Sequence, residues 1–367
     1  MSYEKEQRRL LDLWNEVDFD DDEPFDNEET DEEDDAVEHR SEDSDTAQDA
    51  NMICNFSYIM ADTIRPLTKE LQEKAITELN ENPSRIREDI DHIKEWLSKQ
   101  PHLHPRMDDQ FILTYLRGCK FSLEKTKSKL DGLYTLKPML PEFFTNRNPF
   151  DKNIQHLLKL GVILPLTKVA SPESPRVVIM RPALVDPSPS ALETFFKLNL
   201  MIADIIVKED DQFVICGLML FQDMTGMSMS HMAHMNPSIT KKSMTYFQDA
   251  HPSRPKDLHF FNIPSFFDTI LGIVKPFMKE KLQQRIHAHK TSKIDDMYKF
   301  IPKSILPQEY GGDAGPIQNL IDYWKKKWRT MLTGIEKMAN MFQMSPKELE
   351  NQRLLVIYLE SKVPLES

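Results

Sequence analysis

Residues 258–285 read LHFFNIPSFFDTILGIVKPFMKEKLQQR, and this stretch decides the fold. It opens with the apolar run 258–263, which ends before a proline and predicts a short buried strand. Ser265 follows, with Asp268 three residues later, and this spacing is typical of a helix N-terminus because such side chains accept hydrogen bonds from free backbone N–H groups. We therefore predict a strand followed directly by a helix over residues 265–278.

The predicted helix has one broad apolar face. At 100° per residue this face comprises Phe266, Phe267, Ile270, Leu271, Ile273, Val274, Phe277 and Met278. Gly272 and Pro276 weaken the helix as a rigid rod, and Lys279, Lys281 and Arg285 follow it. Two interpretations remain open: a lid over an apolar cavity that also touches a membrane, or an ordinary core helix with a solvated basic C-terminus.

Charge is unevenly distributed along the chain. The 367 residues carry a formal net charge of −13, but residues 1–50 alone hold 22 acidic and 4 basic side chains. The other residues hold 42 basic and 37 acidic side chains, so an acidic tail precedes a mildly basic globular part. We expect residues 1–62 to be disordered, because so acidic a segment has too little apolar surface to offset the entropy of ordering.

The tail also contains an apolar island at residues 10–19, which includes Trp14, and Ser41 and Ser44 lie among acidic neighbours. Three interpretations remain open: a solvating tail, a short helix that binds a protein partner, or an acidic flap that competes with anionic lipid for a basic surface. Phosphorylation of the two serines would deepen the negative charge.

The cysteine pattern and the lack of recognisable targeting signals favour a cytoplasmic protein. Cys54, Cys119 and Cys216 form no CxxC pair, which suits a reducing compartment. The N-terminus has no apolar signal core, and Ser2 stands where myristoylation requires glycine. The apolar run 213–221 is too short to span a bilayer.

The sequence divides into four predicted regions: an acidic tail over 1–62, a helical module over 63–148, an α/β region over 149–316, and C-terminal helices over 317–367. The α/β region alternates helical patterns, of which 191–207 is the plainest, with the apolar runs 177–180, 213–221 and 258–263. Such runs are typical of strands buried on both faces of a largely parallel sheet, and 286–290 suits a further strand. The C-terminal helices are predicted over 319–337 and 346–359.

Three motifs carry a family resemblance: PxxFxxxxxxVKPF at 264–277, EKLQQRIHAHK at 280–290 and ILPQEYGG at 305–312. Over about residues 85–328 the chain resembles the CRAL-TRIO lipid-binding family, and within it the group that includes α-tocopherol transfer protein and cellular retinaldehyde-binding protein. The resemblance implies an α/β fold, with a mostly parallel sheet and a helical lid, preceded by a small all-α N-terminal module. LTYLRGCKFS at 113–122 matches the family's L-R-x-R-x-F signature, except that Cys119 replaces the second arginine.

The resemblance also implies a set of ligand-binding positions, to which the lid prediction adds Phe266. They are Phe196, Asn199, Ala203, Leu218, Leu220, Gln222, Phe247, Leu258, Phe266, Ile270 and Ile273. Most are apolar, as a hydrophobic ligand requires. Asn199 and Ala203 replace two serines, and Gln222 replaces an aromatic residue. Because buried amides need partners, we expect the ligand to have a carbonyl or hydroxyl group near them. These departures from the family's pocket residues count against vitamin E itself as the ligand.

The same resemblance implies that Arg254, Lys281 and Arg285 bind a phosphoinositide headgroup, with Lys256 and Lys279 close in sequence. The planar guanidinium of arginine suits phosphate oxygens. The alternative is a scattered, solvated basic surface. Nucleic acid is not an expected partner, because no basic stripe with interleaved aromatic residues occurs.

No catalytic motif is present: the sequence lacks GxGxxG, a P-loop and GxSxG. Two histidine pairs, His287 with His289 and His231 with His234, have no carboxylate or cysteine at ligand spacing, so we predict no metal and no cofactor. Seven methionines cluster in the sequence, and they suit either gap-filling in a core or the wall of a lipid pocket: Met219, Met224, Met227, Met229, Met232, Met235 and Met244.

Together these observations lead us to expect a non-catalytic, monomeric protein that binds one hydrophobic molecule (tocopherol-, retinoid- or isoprenoid-like). It would deliver this molecule by docking peripherally and reversibly on membranes that contain phosphatidylinositol bisphosphate. The competing interpretation is a signalling or trafficking scaffold that binds phosphoinositide membranes and recruits a protein through its acidic tail. An enzyme is the third and weakest alternative.

Overall fold

A computed structural model describes residues 64–100, 103, 105–289 and 294–328. The predicted tail, its apolar island, Ser41, Ser44 and the helix over 346–359 lie outside these residues. The chain separates into two compact units, of which the first is Met1–Arg65 with Asp108–Gln110 and the second is Pro66–Met107 with Phe111–Ser367. In the first unit, the backbone N–H of Arg65 donates to Gln110 Oε1 at 2.9 Å. The predicted region boundaries stay predictions.

The helical pattern predicted before the sheet is confirmed. The helices are α1 (Lys69–Leu79), α2 (Ile86–Ser98), α3 (Asp109–Gly118), α4 (Leu123–Met139), α5 (Pro141–Phe144) and α6 (Lys152–Leu160). Side-chain oxygens of Thr68, Ser122 and Asp151 accept backbone N–H groups at the start of α1, α4 and α6. Apolar residues at three- and four-residue spacing, such as Ile90, Ile93 and Leu97 of α2, are buried.

The arginine of the L-R-x-R-x-F signature forms an internal ion pair. Arg117 Nε lies 2.8 Å from Glu81 Oε2, both side chains are almost fully buried, and Arg117 Nη1 lies 3.8 Å from Asp211 Oδ1. Cys119, in the place of the second arginine, is buried as a free thiol. These contacts give this part of the signature a packing role.

Five strands form a mixed sheet in the order β1-β2-β3-β4-β5. They are β1 (Ile163–Pro165), β2 (Arg176–Met180), β3 (Leu218–Asp223), β4 (Pro255–Phe261) and β5 (Ile286–Ala288). β1 runs antiparallel to β2, and the other neighbours are parallel, with Leu220 opposite Leu258 and Leu258 opposite Ile286. The prediction of a largely parallel sheet is confirmed.

The prediction of one strand over 213–221 is wrong at its start. Asp210 Oδ1 accepts the N–H of Phe213 at 3.1 Å and begins helix α8 (Asp211–Cys216). Gly217, with φ of +83°, ends this helix, and β3 begins at the next residue. A continuous apolar run has no periodicity that separates a buried helix from a buried strand, and this caused the error.

Further helices connect and follow the strands. They are α7 (Pro189–Glu209), α9 (Met229–Ala233), α10 (Pro237–Thr245), α11 (Phe267–Val274), α12 (Glu280–Gln283) and α13, whose described residues are 317–328. A π-helical turn, Tyr246–Ala250, continues α10. The predicted helix over 191–207 is confirmed within α7, and α13 begins the predicted helix over 319–337.

The sheet has two different faces. One, the cavity face, presents alternate residues such as Leu218, Leu220 and Leu258 to an internal cavity. The other, the closed face, carries the residues between them and is covered in part by Tyr310, whose ring lies 5.0 Å from that of Phe221. The main core cluster includes residues of both faces.

Candidate functional site

The second unit encloses a cavity of about 320 Å³. Its floor is the cavity face of the sheet, and its walls come from α7 and from the segment around α9 and α10. Further lining residues come from α11, which lies in the predicted lid segment, residues 265–278. Most of the lining side chains are apolar. A pocket of this size and composition can hold a small hydrophobic molecule.

Nine of the eleven predicted ligand-binding residues line this cavity. They are Phe196, Asn199, Ala203, Leu218, Leu220, Gln222, Phe247, Leu258 and Ile270. Phe266 and Ile273 are buried but do not line it. Along α11 the lining residues are Ile270, Leu271 and Val274, and Ile273 points about 100° away from their common direction.

The lid segment is shorter and more broken than predicted. The helix begins at Phe267, not Ser265, and its N-cap residue makes no side-chain hydrogen bond. A 3₁₀ turn, Lys275–Phe277, replaces its last part, because Pro276 has no N–H with which to continue an α-helix. Gly272 is exposed, with open space beside its Cα. The segment thus has one face on the cavity and another toward solvent.

Methionine is a major part of the cavity wall. Seven methionines line it: Met180, Met224, Met227, Met232, Met235, Met244 and Met278. Five of these belong to the sequence cluster, whereas Met219 and Met229 of that cluster lie elsewhere. Met180 and Met278 were missed because they are far from the cluster in sequence. Flexible thioethers let the wall adapt to the shape of a ligand.

Sequence reasoning also missed Ser243 and His251, two buried polar residues of the wall that each have a side-chain atom without a partner among the described residues. Burial lowers the pKa of His251 to about 4, so this side chain is neutral at pH 7. No motif marks either residue, and only the folded arrangement places them beside the cavity.

Two of the three predicted headgroup residues lie near the start of β4. Arg254 donates to the backbone carbonyls of Val214 (3.3 Å) and Ile215, and Arg285 donates to that of Pro255. Both side chains are half-buried. Lys281 is exposed on the short helix α12. Because Met278 adopts an extended conformation, no continuous helix runs from the lid to these residues.

Lys256 and Lys279, which lie close in sequence to the three predicted headgroup residues, form ion pairs. Lys256 lies 3.3 Å from Glu78, and Lys279 pairs with Asp249. The region therefore mixes anchored cations with the exposed ammonium group of Lys281.

Four polar side chains meet on the closed face. His259 Nδ1 lies 3.0 Å from His289 Nε2, and His287 Nε2 lies 3.0 Å from Asp257 Oδ1. The expectation that no carboxylate stands at ligand spacing is wrong, because sequence spacing does not show a partner across two parallel strands.

A metal site does not follow from this cluster. Donor atoms of Asp257, His259 and His287 lie within 4.8 Å of one another. However, the rings of His259 and His287 stack 4.7 Å apart at 19°, so their in-plane lone pairs run side by side instead of converging. The absence of a metal stays a prediction.

Comparison with known proteins gives consistent matches. A family model described as "CRAL/TRIO domain" matches residues 170–312, and one described as "Pinta-like, UBA domain" matches residues 82–154. Human "Alpha-tocopherol transfer protein-like" is 33% identical over 255 residues, which are 68% of this chain and 72% of the relative. Its mouse counterpart is 31% identical and covers 74% and 76% of the two chains.

Two further matches are more distant. Human "Clavesin-2" is 27% identical over 78% of this chain and 87% of its own length. The crystal structure of Sfh5 matches with a TM-score of 0.43 at 15% identity, over 68% of this chain and 90% of that chain. Among the residues that the structure describes, no helix is long and apolar enough to cross a membrane.

Proposed function

The chain belongs to the CRAL/TRIO family, and from this membership we propose that it binds one hydrophobic molecule and transfers it between membranes without catalysing a reaction. The observation that carries the proposal is the cavity between the sheet, α7, α10 and α11, with its mostly apolar wall. Tocopherol-, retinoid- and isoprenoid-like molecules are the ligand classes that fit such a wall.

The energetics favour binding from water but demand a means of release. Each buried CH₂ group stabilises the complex by about 0.8 kcal/mol, so a long hydrocarbon leaves such a cavity for water very slowly. Release directly into a membrane avoids that cost. The short α11, interrupted by Gly272 and the turn at Pro276, supports a role as the segment that opens at a bilayer.

The proposal includes docking on phosphatidylinositol bisphosphate, from a cytoplasmic location and as a monomer. Its support is the position of Arg254 and Arg285 at the start of β4 and the exposure of Lys281. Each guanidinium has five N–H donors, so a carbonyl contact leaves donors available for phosphate oxygens.

Lipid identification from the purified protein tests the proposal. We expect native mass spectrometry of gently purified full-length chain to show one bound lipid per protein, and extraction to yield a tocopherol-, retinoid- or isoprenoid-like molecule. A protein that is purified empty and takes up no tocopherol, retinoid or isoprenoid from vesicles would contradict it.

A scaffold function is the second candidate, and the match of residues 82–154 to a UBA-like domain favours it. In this alternative the helical module or the acidic tail recruits a protein, and the cavity has no functional ligand. Stoichiometric lipid in the native mass spectrum separates the two, because a scaffold requires none.

A further inference from the structure

Two histidine nitrogens on the cavity wall have no hydrogen-bond partner among the described residues: Nε2 of His231 and Nε2 of His251. Of the two, His251 has the more deeply buried side chain, which is 2% exposed. His251 lines the cavity together with its neighbours Phe247 and Ser253. Buried polar atoms are normally satisfied, so a buried nitrogen beside a cavity points to a partner inside that cavity.

The surrounding contacts fix the position of the ring proton. The backbone N–H of Ser253 donates to Nδ1 of His251 at 3.2 Å, so Nδ1 is an acceptor and carries no proton. Burial lowers the pKa of this histidine to about 4, and the ring is therefore neutral at pH 7. Its single ring proton lies on Nε2, which makes that nitrogen a hydrogen-bond donor.

A second buried polar atom lies on the same wall. Ser243 Oγ, in the last turn of α10, has no partner among the described residues, and its side chain is 1% exposed. A hydroxyl both donates and accepts. The cavity thus offers a donor from His251 and a donor or acceptor from Ser243, within a largely apolar wall.

His231 differs from these two residues. Its Nε2 is also without a partner among the described residues, but the side chain is only partly buried and caps the short helix α9 through Ser228. It follows β3, whereas His251 precedes β4, and these strands are parallel, so the two histidines lie toward opposite ends of the sheet. Both nitrogens are buried, but His251 is the more fully buried side chain, so an unsatisfied donor costs more there.

We propose that the ligand is an amphipathic lipid whose hydroxyl, ether or carbonyl oxygen accepts a hydrogen bond from His251 Nε2, with the Ser243 hydroxyl as a second partner. This inference rests on the proposed function and narrows its ligand class. A pure hydrocarbon leaves the His251 donor unsatisfied and binds less well. His251 is then a specificity-determining residue for the polar end of the lipid.

Three probes of one carbon skeleton test this assignment: geranylgeraniol, its methyl ether, and the corresponding hydrocarbon. Each is offered to the full chain from phosphatidylcholine vesicles, and bound lipid is quantified by mass spectrometry after repurification. We expect the parent to load the alcohol and the ether about tenfold more than the hydrocarbon, as one satisfied buried donor predicts.

The variant His251→Phe keeps an aromatic ring but removes the donor, so it should load all three probes alike. His287→Phe is the matched control, because His287 lies on the closed face of the sheet and should not affect the tenfold preference. Loss of the preference in both variants would overturn the assignment to His251.

The outcomes separate the two proposals. Equal loading of the three probes by the parent overturns this inference and leaves the proposed function intact. Uptake of none of the three, together with no uptake of tocopherol or retinol from the same vesicles, removes the proposed function and the inference with it. If His251→Phe does not fold, ¹⁵N NMR of the parent decides the question. The His251 Nε2–H resonance should shift on loading with the alcohol or the ether but not with the hydrocarbon, and an unchanged resonance contradicts the inference.

Discussion

The two faces of the central sheet come from alternate residues of the same strands but differ in how their polar groups are satisfied. On the closed face, Asp223 accepts hydrogen bonds from Thr225 Oγ1 (2.6 Å), Asn262 Nδ2 (2.9 Å) and Tyr310 Oη (2.9 Å). On the cavity side, His251 Nε2 and Ser243 Oγ have no partner among the described residues. The closed face satisfies the Asp223 carboxylate internally, although His259 Nε2 on that face also has no partner among the described residues. The unpartnered atoms of the cavity side differ in that their residues line a space that can hold a ligand.

This difference indicates where stability and function reside. Burial alone would raise the pKa of Asp223, but the hydrogen bonds from Thr225, Asn262 and Tyr310 outweigh it and hold the pKa below its usual value. That network fixes the junction between β3 and the ILPQEYGG segment. The methionine-lined cavity has no comparable network among the described residues, and this suits a wall that must adapt to a ligand.

The largest expected effect is on the lid. Ile270→Asp places a carboxylate against the hydrocarbon of a bound lipid, which costs several kcal/mol or forces protonation. We expect ligand retention to fall about a hundredfold or more, measured as dissociation into acceptor vesicles.

Gly272→Asp is the matched control, because it adds the same charge to the same helix at an exposed position with open space. It should retain the lipid nearly as well as the parent. Equal retention by Ile270→Asp and the parent would show that α11 does not cover the ligand.

The next largest expected effect is on the pH dependence of folding stability. It involves one histidine on the cavity side, His251, and one on the closed face, His259. Burial lowers the pKa of His251 and of His259 from 6.5 to about 4. The unfolded chain therefore binds these protons first as pH falls, so stability present above pH 6.5 is lost toward pH 4. Between pH 7.5 and 5 we expect each histidine to contribute a loss of about 2 kcal/mol.

Chemical denaturation of ligand-free protein at the two pH values measures this loss. His251→Phe and His259→Phe should each reduce the difference between the two pH values by the share of one histidine. A reduction in only one variant would assign the pH sensitivity to one side of the sheet, and a parent equally stable at both values would contradict the prediction.

A third prediction isolates the closed face. Tyr310→Phe removes one hydrogen bond to the Asp223 carboxylate, and such charge-assisted bonds contribute about 1.5–3 kcal/mol. We expect a lower melting temperature with unchanged lipid binding. Tyr323→Phe, at a side chain that is 45% exposed, is the control and should leave both unchanged. Loss of lipid binding in Tyr310→Phe would show that the closed face and the cavity face do not act independently.

The sequence predicted the fold well where the signal was local. Apolar runs bounded by turn residues located β2 and β4, and helix caps such as Ser122 lie in the predicted helical pattern. The sequence failed at α8, because an apolar run of Phe213, Val214 and Ile215 suits a buried helix as well as a buried strand.

The site was predictable only in part, for a physical reason. Positions on long elements, such as Asn199 on α7 and Leu220 on β3, follow from motif matching together with helical or strand periodicity. His251 and the pair of Asp257 with His287 depend on which strands become neighbours, and spacing along one chain does not contain that information. Phe266 and Ile273 are buried but do not line the cavity: Phe266 precedes the first residue of α11, and Ile273 lies on a different side of α11 from Ile270.

The smallest expected effect lies on neither face, at the exposed cation Lys281. A cation near an anionic bilayer contributes about 1 kcal/mol, so Lys281→Glu, which also adds repulsion, should weaken docking on vesicles with phosphatidylinositol bisphosphate about tenfold. Lys168→Glu, at an exposed lysine in the loop between β1 and β2, is the matched charge reversal and should change docking little. Lipid loading and melting temperature should stay unchanged in both variants, because neither side chain lines the cavity or joins the core.

Co-sedimentation at low and raised salt measures docking, and salt should reduce the difference between parent and Lys281→Glu. Equal losses in the two variants would indicate attraction by overall charge, with no docking site beside the lid.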